Sequence, residues 1–226
     1  MKRNMFLLGR PGSGKSHIAQ LIAKIADAEG IKTEHIFDYK LLQERFLEED
    51  RLGIPSEMRK FRVSKTKGCS GFDVVDFTVV DDVLRDIANY VRGEIERVNS
   101  GAANKLILIE FARDNYLHAL KHFAPDLLRE AYIFYIYADI ETCIERIHRR
   151  VQTGSEYAHC VSDEIMHQYY GKDDWGSEGL HEFLITYGLE QKVKEICNKG
   201  SEEELSSKVQ DILSTVILQE FSFVLH

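Results

Sequence analysis

The sequence predicts an α/β fold in which a mostly parallel sheet of five strands is covered by helices. Three observations lead to this prediction. Short runs rich in β-branched and aromatic residues alternate with longer stretches of helical periodicity, as in βαβ units. A glycine-rich turn joins the first apolar run to the first helical stretch. The apolar runs all fall short of the roughly 18 to 20 residues that a membrane-spanning helix needs.

The strands are predicted from short apolar runs, and the helices from apolar residues that recur with a period of about 3.6. Predicted strands cover residues 5–8, 35–37, 106–109, 132–137 and 193–197. Predicted helices cover residues 15–28 and 80–98, and a shorter one lies near 162–170. We expect Gly30 to end the first helix, because glycine readily adopts the left-handed conformation that follows many helix ends.

Two irregular stretches interrupt this pattern. Residues 51–77 contain glycines, a proline and a basic cluster from Arg59 to Lys67, without a clear period, which predicts an insertion on the substrate side of the sheet. Residues 146–180 contain four spaced glycines around one short helix, which predicts a mobile lid. The composition changes nowhere sharply enough to mark a second domain, so residues 1–226 are predicted to form one domain.

The composition excludes several classes of protein. A hydrophobic share of 44% with 29% charged residues argues against a disordered or fibrous chain. The net charge of −8 disfavours nucleic acid as a partner, although a local basic groove stays open as an alternative. The cysteines form no CxxC pair, so neither a zinc site nor a disulfide framework is expected, and a reducing, cytoplasmic setting without membrane partners is predicted. The sequence does not predict an oligomeric state.

Residues 9–16 read Gly-Arg-Pro-Gly-Ser-Gly-Lys-Ser and satisfy the pattern G-x-x-x-x-G-K-[ST] between an apolar strand and an amphipathic helix. In such a loop, backbone N–H groups converge on phosphate oxygens, and the helix N-terminus adds positive potential. Lys15 is expected to bridge the β- and γ-phosphates of ATP, and the Ser16 hydroxyl to bind Mg²⁺. The predicted ATP-binding residues are Gly9, Arg10, Pro11, Gly12, Ser13, Gly14, Lys15, Ser16 and His17.

The chain resembles the P-loop kinases of the nucleoside monophosphate kinase type, such as adenylate kinase. The resemblance lies in the G-x-P-G-S-G-K loop at residues 9–15, the strand and helix start at 35–42, the strand and turn at 106–113, and the arginine-rich helix at 139–150. It covers most of residues 5–150 and implies a three-layer P-loop NTPase fold with a lid. Two residues depart from the adenylate kinase pattern: Gln43 replaces an arginine that grips the acceptor phosphate, and Asp38 adds a carboxylate.

Asp38 and Glu110 are the candidate acidic residues, because each follows a predicted strand. Asp38 is expected to act as a base toward a hydroxyl acceptor or as a second-shell Mg²⁺ ligand, or else to cap a helix. Glu110 is expected to hold the water shell of Mg²⁺, with a plain helix-start acid as the alternative. Arg113 is a candidate contact for an anionic acceptor, or else a surface partner of Asp114.

Arg146 and Arg150 are four residues apart, so on a helix they point the same way. They are expected to neutralise charge on the transferring phosphoryl group, or else to form a solvated basic face. Phe72 is a candidate for stacking on an acceptor base, or else for local packing. His118 and His122 share the same spacing on a helix, but no third ligand accompanies them in the sequence, so a metal site there is not predicted.

Together these residues predict an ATP- and Mg²⁺-dependent phosphotransferase that acts on a small acceptor, most simply a nucleotide or a nucleoside-type substrate. Two alternatives remain within the kinase class: the acceptor is a non-nucleotide hydroxyl metabolite, or it is the 5′ end of a polynucleotide. An alternative from another class is a regulatory ATPase, in which nucleotide binding orders the lid for a partner to read.

Overall fold

The structure is a computed structural model that describes residues 2–66, 71–98, 105–153 and 160–221. The strands are β1 (Lys2–Leu8), β2 (Lys32–Phe37), β3 (Phe61–Val63), β4 (Phe72–Val74), β5 (Lys105–Phe111), β6 (Ala131–Tyr137) and β7 (Val193–Cys197). The helices are α1 (Lys15–Ala28), α2 (Asp38–Arg51), α3 (Thr78–Val98), α4 (Tyr116–Leu120), α5 (Pro125–Arg129), α6 (Ile140–Gln152), α7 (Asp163–Gln168), α8 (Glu178–Thr186) and α9 (Glu202–Phe221).

The main sheet has five strands in the order β2-β5-β1-β6-β7, and every neighbouring pair is parallel. The central strand β1 pairs with β5 on one side and β6 on the other, so that Leu7 lies between Glu110 and Phe134. A central parallel strand is covered on both faces, which explains why β1 is a continuous apolar run from Met5 to Leu8. The predicted α/β fold with a parallel sheet is confirmed.

Two apolar layers cover the sheet, because successive strand residues point to opposite faces. Phe6 and Leu8 of β1 belong to the core formed with α2, α3, α4, α5 and α8. Met5 and Leu7 belong to a second core, formed with α1 and α9. The result is a sandwich of helices, sheet and helices, with the carboxyl ends of β1, β2 and β5 at one edge.

Most predicted elements are confirmed, and the bounds of α1 and β7 are those predicted. Gly30 has a φ of +70° just after α1, as expected for the residue that ends it. Helix α3 begins two residues earlier than predicted, because Asp76 accepts a hydrogen bond of 3.0 Å from the backbone N–H of Thr78. Several elements were missed: the antiparallel pair β3–β4, whose strands are too short to show a period, and the helices α5, α8 and α9.

The predicted insertion and lid include residues 67–70 and 154–159, which lie outside the described residues. Cys143 and Cys197 are free thiols, and Cys160 is disulfide-bonded. The spacing of the cysteines did not indicate the bond of Cys160, since spacing along the chain says nothing about distance in the fold. None of the described helices is both long and apolar enough to cross a membrane.

We predict that Ile133→Ala lowers the free energy of unfolding by about 2–5 kcal/mol, because Ile133 is fully buried in β6 and the truncation leaves a cavity. Urea unfolding followed by circular dichroism measures the change. The matched control is Ile185→Ala in α8, where the side chain is 46% exposed and the expected loss is below about 1 kcal/mol. Equal losses in the two variants would contradict the described packing of β6.

Candidate active site

The loop between β1 and α1 has the backbone conformation that its glycines permit. Gly9, Gly12 and Gly14 have φ angles of +147°, +81° and +101°, a region that side chains with a Cβ rarely adopt. At Gly12 a Cβ would also lie 2.4 Å from the carbonyl oxygen of Cys143 in α6. The predicted strand, loop and helix arrangement of residues 9–16 is therefore present.

Lys15 lies at the centre of this loop and is almost fully buried. Its Nζ donates hydrogen bonds of 2.9 Å to the carbonyl oxygens of Gly9 and Arg10, and it lies 4.0 Å from Oε1 of Glu110. Burial lowers the pKa of Lys15 below its usual value, and the charges of Glu110 and Asp38 only partly oppose this. The ammonium group is thus held inside the ring of loop atoms, beside two carboxylates.

The Glu110 carboxylate, in β5, contacts side chains from two neighbouring elements, α1 and β2. Its Oε1 accepts a hydrogen bond of 2.9 Å from the hydroxyl of Ser16, and its Oε2 lies 2.9 Å from Nε2 of His35 in β2. Burial would raise the pKa of Glu110, but the bond to His35, the charge of Lys15 and the bond to Ser16 outweigh it and hold the pKa below its ordinary value. His35 was missed in the sequence, since a lone histidine in a strand carries no signal.

Asp38 begins α2 and is paired with Arg113. Oδ2 of Asp38 lies 2.6 Å from Nη1 of Arg113 and 3.3 Å from the backbone N–H of Ala112, which donates to it. Arg113 is only 3% exposed and also donates to the carbonyl oxygens of Ala112 and Val80. Arg113 is neither a surface partner of Asp114 nor among the described residues that line the cavity defined below. The structure therefore places the predicted acceptor-binding arginine behind Asp38.

Arg146 of α6 is held close to the phosphate-binding loop by Asn198. Nη2 of Arg146 donates a 3.0 Å hydrogen bond to the carbonyl oxygen of Asn198, whose side-chain amide donates one of 2.8 Å to the carbonyl oxygen of Ser13. Nη1 of Arg146 is buried without a hydrogen-bond partner among the described residues. Asn198 was missed in the sequence; its position directly after the last strand is the signal that could have identified it.

A cavity of about 950 Å³ brings most of the predicted site residues together. Its nucleotide-side wall comes from the loop, α1 and α6 and includes Lys15, Ser16, His17, Arg146, Arg149 and Arg150. Glu110 lies between this wall and a second one. The second, acceptor-side wall comes from β2, α2, β4 and the residue before α3, and consists of Phe37, Asp38, Tyr39, Leu42, Phe72, Val74 and Phe77.

Phe72 lines this acceptor-side wall and also packs against its neighbours. Its ring stacks on those of Tyr39 and Phe46, with ring centroids 5.1 Å apart in each pair. Asp38 is the charged residue of that wall, and no lysine or arginine belongs to it in the part of the chain that the structure describes. The cations of the cavity are thus concentrated on the nucleotide-side wall.

Gly9, Arg10 and Ser13 belong to the predicted loop set but are not among the described residues that line the large cavity. Arg10 turns the other way: its Nε donates a 2.7 Å hydrogen bond to the carbonyl oxygen of Tyr170, and its Nη2 lies 3.2 Å from Oδ2 of Asp173. Arg10 instead lines a separate cavity of about 500 Å³ beside β6 and β7. The segment after α7 is therefore tied to the loop through Arg10.

The segment that starts α7 contacts the β3–β4 pair. Glu164 forms ion pairs with Arg62 at 3.0 Å and Lys65 at 3.2 Å. The backbone N–H of Ser162 donates a 2.8 Å hydrogen bond to the buried Asp73. Part of the predicted lid thus lies against the predicted insertion, and both contribute residues to the large cavity.

No protein-family model and no curated protein matches the sequence. Solved structures with a similar fold include a gluconokinase from Sinorhizobium meliloti 1021, at 14% identity over 99% of this chain and 97% of that chain with a TM-score of 0.49. The APS kinase of Mycobacterium tuberculosis in complex with AMPPNP and APS aligns at 14% identity over 95% and 96%, with a TM-score of 0.45. Shikimate kinase from Acinetobacter baumannii in complex with shikimate aligns at 14% over 96% and 94%, with a TM-score of 0.41.

These values are too low to assign an activity or a substrate to this chain. The resemblance to adenylate kinases stays a prediction.

We predict that the free energy of unfolding falls as the pH drops below about 4.5, in part because of Glu110. The pKa of Glu110 is depressed in the folded protein. Its contribution to stability is therefore present above its ordinary pKa and is lost as the pH falls through the lower, folded value. Glu110→Gln should show a smaller loss between about pH 6 and pH 3 in urea unfolding.

The control for this measurement is Glu130→Gln, which changes an exposed glutamate after α5. This variant should lose as much unfolding free energy on acidification as the parent protein does. If Glu110→Gln loses as much stability on acidification as the parent does, the ion-pair and hydrogen-bond contacts of Glu110 do not depress its pKa.

Proposed function

We propose that this protein is an ATP-dependent phosphotransferase that moves the γ-phosphoryl group of ATP to a hydroxyl group of a small, nucleoside-type acceptor. The observation that carries the proposal is the shared cavity: Lys15, Arg146 and Asp38 all line it. A phosphate-binding lysine, a phosphoryl-neutralising arginine and a carboxylate base are the groups that this reaction needs.

The nucleotide-side wall supports ATP as the phosphoryl donor. The loop presents backbone N–H groups at the N-terminus of α1, and Lys15 supplies the charge for the β- and γ-phosphates. Arg146 keeps a buried Nη1 without a partner among the described residues, and an anionic oxygen would satisfy it. Arg150 lines the same wall, and a guanidinium stays charged at neutral pH.

The residues around Ser16 fit Mg²⁺. The Ser16 hydroxyl and the Glu110 carboxylate are hydrogen-bonded at 2.9 Å, so two hard oxygen ligands of the kind Mg²⁺ prefers already lie together. We assign Ser16 to direct binding and Glu110 to the water shell of the ion. When bound there, Mg²⁺ would neutralise negative charge on the phosphates.

The acceptor-side wall favours a hydroxyl over a phosphate as the attacking group. A phosphate acceptor is anionic and needs cations, but the described part of this wall has none and Arg113 is already paired with Asp38. A hydroxyl acceptor benefits from a carboxylate that takes its proton. Asp38 uses Oδ2 for Arg113 and Ala112, and we assign Oδ1 to the acceptor hydroxyl. The aromatic rings of Tyr39 and Phe72 suit a planar, base-like group.

In the transfer step, the acceptor hydroxyl oxygen forms a bond to the γ-phosphorus while the bond from that phosphorus to the bridging oxygen breaks. The hydroxyl proton passes to Asp38 and then to solvent, and ADP leaves with the bridging oxygen. Arg146 and Arg150 compensate the charge on the transferring group. We further propose that residues 1–226 act as one domain in which residues 146–180 close over residues 51–77 and exclude water.

We predict that ³¹P NMR of the protein with Mg²⁺ and ATP shows a new phosphomonoester signal with a pool of nucleosides and small hydroxyl metabolites. Lys15→Ala should lower the rate by a factor of about 100 or more, because a charge that contacts the transferring group in the transition state is lost. The control is Lys24→Ala, an exposed lysine on the same helix, which should keep the parent rate.

A new diphosphate signal with a separate pool of nucleoside monophosphates would overturn the hydroxyl acceptor and make the protein a nucleotide kinase. If both pools give only ADP and free phosphate, the phosphotransferase proposal fails for small acceptors and the regulatory ATPase becomes the better account. Equal turnover by Lys15→Ala and the parent would overturn the assignment of the phosphate-binding loop.

We predict that Asp38→Asn lowers kcat with the hydroxyl acceptor by a factor of about 100 or more, since the proton acceptor is lost, and leaves ATP affinity within about threefold. The variant also leaves the buried guanidinium of Arg113 without its counter-charge, so its thermal stability should fall. The assay is therefore run below its unfolding temperature, with fluorescence titration of ATP. Asp126→Asn, at an exposed aspartate of α5, is the matched control.

An Asp38→Asn protein that is folded, binds ATP and keeps the parent kcat would contradict the base role. Loss of ATP affinity in parallel with kcat would make Asp38 part of the nucleotide or metal site instead.

A further inference from the structure

The tertiary structure places a third possible metal ligand beside His118 and His122. Asp81, in the first turn of α3, lies next to both histidines, which belong to α4 and to the turn that follows it. Nε2 of His118 is 3.1 Å from Oδ2 of Asp81, and Nε2 of His122 is 3.5 Å from Oδ1. The three ligand atoms lie within 4.8 Å of one another. Asp81 is 37 residues from His118, so spacing could not reveal this cluster.

These distances suit a tetrahedral zinc site. Zinc binds imidazole nitrogen and carboxylate oxygen at about 2.0–2.2 Å, so two such ligands on one ion are about 3.3 Å apart. The observed separations from Asp81 lie on either side of that value. Neither histidine is held in the core of the fold, and the His118 side chain is 59% exposed, so an ion can reach the cluster from solvent.

The electrostatics of the cluster also favour a cation. The Asp81 carboxylate supplies negative charge beside two imidazole nitrogens, a donor set that suits a divalent cation. Nε2 of His122 is buried, and its geometry to Asp81 does not meet that of a hydrogen bond. A bound cation would satisfy this nitrogen and the Asp81 carboxylate together.

We propose that Asp81, His118 and His122 form a zinc-binding site with three protein ligands and one position left for water. None of the three residues is among those described as lining the large cavity, so the ion would be separate from the Mg²⁺ of the phosphoryl-transfer site. It would tie the start of α3 to the turn after α4. The carbonyl oxygen of Val80, next to Asp81, accepts the hydrogen bond from Arg113, so the tether would fix the element that anchors Arg113.

The test is isothermal titration of the full chain with ZnCl₂ at pH 7, without nucleotide, after chelator treatment and dialysis. The parent protein should bind about one equivalent of Zn²⁺ with a dissociation constant of about 1 μM or below. His118→Ala and Asp81→Asn should each weaken binding by a factor of about 100 or more, because each removes a ligand. Both changes lie at partly exposed side chains, and circular dichroism checks that the variants fold.

The matched control is His148→Ala, which breaks a comparable histidine–aspartate pair: Nε2 of His148 lies 2.8 Å from Oδ1 of Asp163, and the described residues place no second histidine in a metal-binding cluster with them. This variant should bind Zn²⁺ like the parent. Titration with CoCl₂, followed by visible absorption, should give the intense bands of a tetrahedral site in the parent and lose them in His118→Ala.

Absence of binding up to about 100 μM Zn²⁺, or binding that is unchanged in both His118→Ala and Asp81→Asn, would overturn the proposal. Because the titration contains no ATP and no acceptor, its result does not depend on whether the protein is a phosphotransferase.

Discussion

The buried carboxylate of Glu110 is the interaction on which the geometry of the site depends. A buried charge is tolerated only when it is paired and hydrogen-bonded. Glu110 meets this requirement with Ser16 from α1 and His35 from β2, and Lys15 adds its charge at 4.0 Å. Because β5 lies between β1 and β2, one carboxylate joins the ends of three adjacent strands. The contact ties the start of α1, directly after the phosphate-binding loop, to β5 and β2.

A second buried charge, on Arg113, lies behind the acceptor-side wall of the cavity and is paired with Asp38 of that wall. Because the Arg113 guanidinium is paired with Asp38, it does not bind the acceptor, as the sequence analysis had expected it to do. Buried ion pairs contribute little net stability, because desolvation offsets the attraction. Here the ion pair orients the Asp38 carboxylate. Arg113 also donates hydrogen bonds to the carbonyl oxygens of Ala112 and Val80, and it therefore holds this carboxylate in place at the cavity wall. Under the proposed function, Arg113 is a positioning residue and Asp38 is the catalytic one.

The contacts that hold α7 and its flanks over the cavity combine exposed ion pairs with buried groups. Glu164 meets Arg62 and Lys65 through partly exposed ion pairs, which typically contribute less than about 1 kcal/mol each in water. Phe77 stacks on Tyr169 with ring centroids 3.9 Å apart. Buried contacts hold the same segment as well: Ser162 donates to the buried Asp73, and Met166 of α7 is fully buried in a cluster with residues of α6. The proposed lid motion therefore has to break the exposed ion pairs and also these buried contacts.

The sequence by itself determined most strands of the main sheet, the longer helices α1 and α3 and the loop, because their signals are local. Helical periodicity gave α1, and eight consecutive residues gave the phosphate-binding loop with Lys15 and Ser16. The tertiary structure decided which side chains meet. The contacts of Glu110 with Ser16 and of Asn198 with Ser13 span 94 and 185 residues, and Asp81 is 37 residues from His118. Arg113 had the right chemistry for an acceptor site, but its distance from Asp38 and its burial follow from the order of strands in the sheet. That order is fixed by packing between elements distant in sequence, so no local pattern can encode it.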